Sequence, residues 1–218
     1  MNAWEKYFLI CSGFTVLIPV SITIMRFKMM VWPWRFLAIL IFIDFLAEVI
    51  GHILYFLGIS NHFLWPVFIP LEFSLILWIY KSELGILGIG RLVPLFTILF
   101  PVYVLVDWVF SKTDGLSSFP HFIEGILVLC LVMCYYVNCM RSDIDLHIER
   151  QAMFWLSTGL CIYFSTNSII FLFSNYIQSL SLHFFNKVWF IHAIFNILLY
   201  LFYSLTACLI PKKQNYIS

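Results

Sequence analysis

The sequence predicts an all-α polytopic membrane protein, a seven-transmembrane-helix bundle with its amino terminus outside and its carboxyl terminus inside. Composition comes first. Of 218 residues 63% are hydrophobic and only 11% charged, with a mean hydropathy of +0.99, whereas soluble domains carry about 25% charged residues. Segment length comes second: short polar breaks divide the apolar material into pieces near the roughly 20 residues that cross hydrocarbon as a helix. Charge placement comes third. With the amino terminus outside, Arg26, Lys28, Arg35, Lys81, Arg91, Arg141, Arg150, Lys212 and Lys213 fall inside and Lys6, Lys112 and Lys187 outside, nine against three, as the positive-inside rule requires.

Taken in order, the spans are 7–25, 36–57, 64–80, 92–110, 119–140, 152–173 and 188–210. The first follows a short polar lead without a small-residue cleavage signal and reads as a retained helix. The third is short, and Pro66 and Pro70 near its start predict extension, tilt or local distortion; six spans is the alternative count. Trp32, Trp34, Trp65, Trp108 and Trp189 sit near span boundaries, where an indole suits the membrane interface. The connection 141–150 mixes charge signs as a solvated turn does, with partner docking as the alternative. The semi-polar, aromatic connection 174–187 suggests a short interfacial helix or lid. One domain, 1–218, accounts for the chain, and no basic region is suited to nucleic acid.

The second span carries the chemistry. Asp44, Glu48 and His52 recur at i, i+4 and i+8, one stripe on a helix. Ionisable groups at that depth are costly in lipid and belong to a bundle interior or wet cavity. Glu72, Glu124, His192, Asn196, Tyr163 and Asn167 fall at comparable depth on the third, fifth, seventh and sixth spans. Together these nine are the ligand-cavity candidates, in the outer half of the bundle. Eight of them have a plainer reading, structural hydrogen bonding for Asp44, Glu48, Glu72, His52, His192, Tyr163 and Asn167 and snorkelling or solvent exposure for Glu124, the last shared by Asp107 outside the set. Glu48 and Glu72 are expected to form the most consequential carboxylate pair. Glu72, Glu124 and His192 each lie in an inward-running span, which suggests three helical hairpins added to the first span.

Histidines with carboxylates can hold zinc, and zinc activates water for attack on an ester or amide. In helix count and ligand chemistry, the grouping His52, Glu72, Glu124 and His192 resembles the ceramidase-like seven-helix membrane hydrolases. That family implies a histidine pair one turn apart in a late helix, where this chain has His192 followed by Asn196 (HAIFN). No cofactor is therefore expected, zinc being the alternative.

Other chemistries lack their residues. A retinal Schiff base needs a mid-depth lysine, and the last span has Lys187 only at its boundary. No phosphate loop, CxxC motif or serine nucleophile elbow is present, and Cys130 and Cys134, one turn apart, read as small buried hydrophobes.

These residues point to a receptor-like or sensory module of the plasma or bacterial inner membrane. It would bind a small molecule or lipid and signal through an inner-face protein partner. The alternatives are a small-solute or proton-coupled transporter and a metal-dependent hydrolase of a lipid ester or amide.

Overall fold

The computed structural model describes residues 3–110, 118–141 and 147–211. Its helices are α1 (Ala3–Phe14), α2 (Leu17–Arg26), α3 (Trp32–Leu57), α4 (Trp65–Ile79), α5 (Lys81–Ile86), α6 (Val93–Phe110), α7 (Ser118–Arg141), α8 (Ala152–Leu180) and α9 (Leu182–Leu209). Seven stretches are long and apolar enough to cross a membrane: Tyr7–Met29, Trp32–Leu57, His62–Ile79, Gly90–Phe110, Ser118–Arg141, Ala152–Ser174 and Phe184–Leu209. The protein is an all-α bundle of seven candidate membrane-spanning helices.

Proline chemistry explains the departures from straight spans. The first span breaks into α1 and α2 around Thr15 and Val16, because Pro19 has no N–H to give the Thr15 carbonyl. Ile18 takes that carbonyl instead at 3.1 Å, and the Thr15 hydroxyl donates back to Ser12 O at 2.5 Å. The third span gains length at both ends, from a 3-10 turn at His62–Leu64 and from α5, which follows directly after Tyr80. Within it Pro70 is accommodated, and its carbonyl accepts the Ser74 hydroxyl at 2.6 Å. The α3 helix ends at Gly58, whose φ of 69° is the left-handed conformation that glycine adopts freely. There Ile59 N–H donates to Leu54 O at 2.9 Å, closing the helix.

Neighbour packing runs α2 on α3, α3 on α4, α4 on α7, α7 on α8, α8 on α9, and α9 back on α1 and α2. Six spans thus close a ring. The remaining one, α6, packs chiefly against α4 from outside, so the expected hairpin of the fourth and fifth spans is not a packed pair. Ile98, Val109 and Phe110 on α6 are exposed, as suits a peripheral helix facing lipid. The stretch 174–187 is likewise no separate lid: α8 and α9 continue through it and meet at Ser181, whose backbone is extended. Of the connection 141–150, residues 142–146 lie outside the described ones; Ile148–Arg150 forms a 3-10 turn.

The two ends of the ring differ. Towards the Arg26 end the centre is solid, filled by Leu37, Leu40, Ile76, Tyr80, Leu156 and Tyr203, all fully buried. Tyr80 OH and Ser157 Oγ meet at 2.7 Å, and Asn138 Nδ2 donates to Glu83 O at 2.9 Å. The Arg26 guanidinium bonds the Cys208 carbonyl and, at 2.9 Å, the Ile210 carbonyl, capping the end of α9 with a cation. Towards the Gly58 end the ring is hollow.

Candidate ligand cavity

The hollow is a cavity of about 560 Å³, within the size range of small-molecule sites. Asp44, Glu48, His52, Glu72, Glu124, Tyr163, Asn167, His192 and Asn196 all line it, so the structure brings all nine candidate residues to one space. Its wall reaches Asn61 and His62 in the α3–α4 connection and Asn186 in the first turn of α9. From there it runs down to Asp44, halfway along the 26-residue α3. Among the described residues, its lining includes no lysine or arginine and nothing from α6.

Glu48 is held from across the ring. Its Oε1 accepts Asn196 Nδ2 at 2.9 Å and Tyr200 OH at 3.1 Å, a fixed bridge from α3 to α9. One turn on, His52 Nδ1 lies 2.7 Å from Glu48 O and 3.7 Å from Glu48 Oε2. A carbonyl cannot donate, so Nδ1 carries the proton in this contact. Gly13 of α1 sits against this pair: a Cβ there would lie 2.4 Å from His52 Cε1 and 2.8 Å from Glu48 Oε2. Only a glycine lets α1 approach so closely.

His192 is fixed the same way on the α8–α9 side. Asn167 Nδ2 donates to Tyr163 O at 3.0 Å, which orients its amide so that Oδ1 accepts His192 Nδ1 at 2.7 Å. The His192 ring stands among Trp189, Phe171 and Tyr163, with centroids 5.0, 5.7 and 6.1 Å away.

The deepest carboxyls are less satisfied. Asp44 lies within electrostatic reach of Glu72 and Glu48, and Glu124 within reach of Glu72 and Asp44. Asp44 Oδ1 and Glu124 Oε1 are fully enclosed without a hydrogen-bond partner. Glu124, read from sequence as a group that could be wet at the boundary, is 1% exposed. Its helix start is covered by the extended α8, whose Ser174 Oγ meets Ser118 Oγ at 2.6 Å. Asp107 of α6 is not part of this cavity lining.

His121 is the residue that sequence reasoning missed. It precedes Glu124 by one turn, with Nδ1 3.7 Å from Glu124 Oε2, and is itself buried. Its ring stacks on Phe171 at 4.2 Å and meets Trp65 edge-on at 5.0 Å, while Nε2 has no partner. The i, i+3 spacing of His121 and Glu124 was the available signal. Trp65 and Trp189, read as interface anchors, also belong to the cavity wall. Among the described residues, no three His, Cys, Asp or Glu side chains are grouped so as to hold a metal ion.

Comparison of the chain with protein-family models, curated proteins and solved structures finds no match.

Proposed function

We propose that this protein is a receptor-like membrane module, one domain of seven helices over 1–218, that binds a small molecule in the cavity. One observation carries the reading: the cavity is hollow at the Gly58 end, and the same ring is packed solid towards Arg26. A site reached from one side and closed below by core suits binding and response better than passage. The nine-to-three lysine and arginine distribution supports an outer amino terminus, hence an outward-facing cavity and an inner carboxyl terminus available to a protein partner. That orientation fits a plasma or bacterial inner membrane.

Glu48 supplies the coupling. Its two cross-ring bonds tie α3 to α9, and Arg26 ties α9 to α2 at the opposite end. A molecule that drew Glu48 away from Asn196 and Tyr200 would free α9 to shift against α3, carrying its inner end with it.

The test is a small-molecule library screened by thermal unfolding against the wild type and an Ala47→Phe variant, which fills the cavity from α3. A compound that stabilises the wild type and not the variant is then applied to one side of proteoliposomes. The expected result is one-sided binding with the compound neither accumulated nor altered. Accumulation would replace this reading with the transporter, chemical conversion with the hydrolase, and no compound distinguishing wild type from variant would overturn it.

A further inference from the structure

We propose that the cavity takes an organic cation, a quaternary or protonated amine carrying an apolar group, with its nitrogen held between the deep carboxyls and the aromatic wall; this rests on the ligand-binding reading above.

Charge is the first ground. Asp44, Glu48, Glu72 and Glu124 line one cavity, and among the described residues none of the lining is a lysine or arginine. Carboxyls so placed are neutralised either by protons or by a bound cation, because their mutual repulsion is poorly screened away from water. Unfilled bonding capacity is the second and independent ground. Asp44 is 5% exposed and Glu124 1%, and each has one oxygen with no partner. Buried polar atoms in proteins are almost always satisfied; the open carboxyl oxygens in this wall, which also holds the open donor Trp65 Nε1, mark where a positive or hydrogen-donating group belongs.

The wall gives the third ground. Trp65, Phe171, Trp189 and Tyr163 surround the upper cavity around His121 and His192. Aromatic faces attract an alkylammonium through the ring quadrupole without demanding hydrogen bonds from it. An anion would meet four carboxyls here, and a bare metal ion no group of three ligands among the described residues. An alkylammonium uses both the carboxyls and the rings, and its apolar remainder fits the Leu9, Ile10 and Phe68 side of the lining.

The experiment compares three probes of similar shape on the detergent-purified full chain: benzyltrimethylammonium, its neutral carbon isostere neopentylbenzene, and phenylacetate. Thermal midpoint and tryptophan emission are read against probe concentration. The expected result is a saturable response to the ammonium with a half-saturation at least tenfold below that of the isostere, and none to phenylacetate. In an Asp44→Asn, Glu124→Gln double variant, the ammonium's half-saturation should rise tenfold or more while the isostere's stays within twofold. The wild-type series needs no variant to fold. Equal or tighter binding of the isostere or of phenylacetate overturns the cation assignment, and if that binding disappears in Ala47→Phe the cavity reading survives without it. No saturable response to any probe overturns the assignment as well. Ammonium binding left unchanged by Ala47→Phe would overturn both.

Discussion

The two halves of the ring differ in where their buried carboxyls lie. Towards Arg26, Tyr80 OH with Ser157 Oγ and Asn138 Nδ2 with the Glu83 carbonyl join helices, although Asn138 Oδ1 is itself unpartnered. Towards Gly58, atoms of ionisable side chains, Asp44 Oδ1, Glu124 Oε1 and His121 Nε2, are enclosed without partners. Other groups are also unpartnered, Trp65 Nε1 in the cavity wall and Thr23 Oγ1, Asn138 Oδ1, Tyr203 OH and Thr206 Oγ1 outside it, but among the described residues the unpartnered carboxyl oxygens all belong to the hollow end. The contrast separates groups that hold helices together from groups held ready for something else.

Truncation in the packed half should produce the largest effect. Leu156→Ala, at a fully buried site in the packed centre of the ring, should cost about 2 to 5 kcal/mol in denaturant unfolding. A cost below about 1 kcal/mol would mean the Arg26 half is not the stabilising core. Next comes Gly13→Ala, whose Cβ collides with His52 and Glu48. Forcing that contact should cost about 1 to 3 kcal/mol and, by displacing Glu48 from Asn196 and Tyr200 in advance, tighten binding of a cavity ligand that draws Glu48 away. Unchanged stability and binding would show that α1 does not pin the pair. Tyr80→Phe removes one half of a buried hydroxyl pair and should cost about 1 kcal/mol, leaving binding within twofold. Stability equal to the wild type would erase the contrast from the packed side.

Much of this was legible in the chain. Each of the seven spans was placed to within a few residues, because apolar length is a direct imprint of bilayer thickness. The Asp44, Glu48, His52 stripe was readable because helical periodicity needs no tertiary information. The arrangement of spans was less so. The peripheral position of α6 left a trace, since Val93–Phe110 carries no polar stripe of the α3 kind, but hairpin adjacency was the simpler expectation. The break at Thr15 was also visible in Pro19, four residues on. Depth misled at Glu124: counted from the span start it lay near the boundary, yet α8 runs to Leu180 and covers it. A helix that continues past its span looks like a polar loop in sequence, so 174–187 could not be told from a lid by composition.

Glu124→Gln tests the central claim most directly. Gln keeps the shape and takes away the capacity for charge at a buried carboxyl that has one unpartnered oxygen. If Glu124 is a ligand group, the substitution removes the cost of keeping a carboxyl buried beside Glu72 and Asp44, whether that cost is repulsion or proton uptake, and denaturant unfolding without ligand should give a midpoint equal to or above the wild type. If it is structural glue, the midpoint should fall by at least as much as it does in Tyr80→Phe, and that fall would contradict the account.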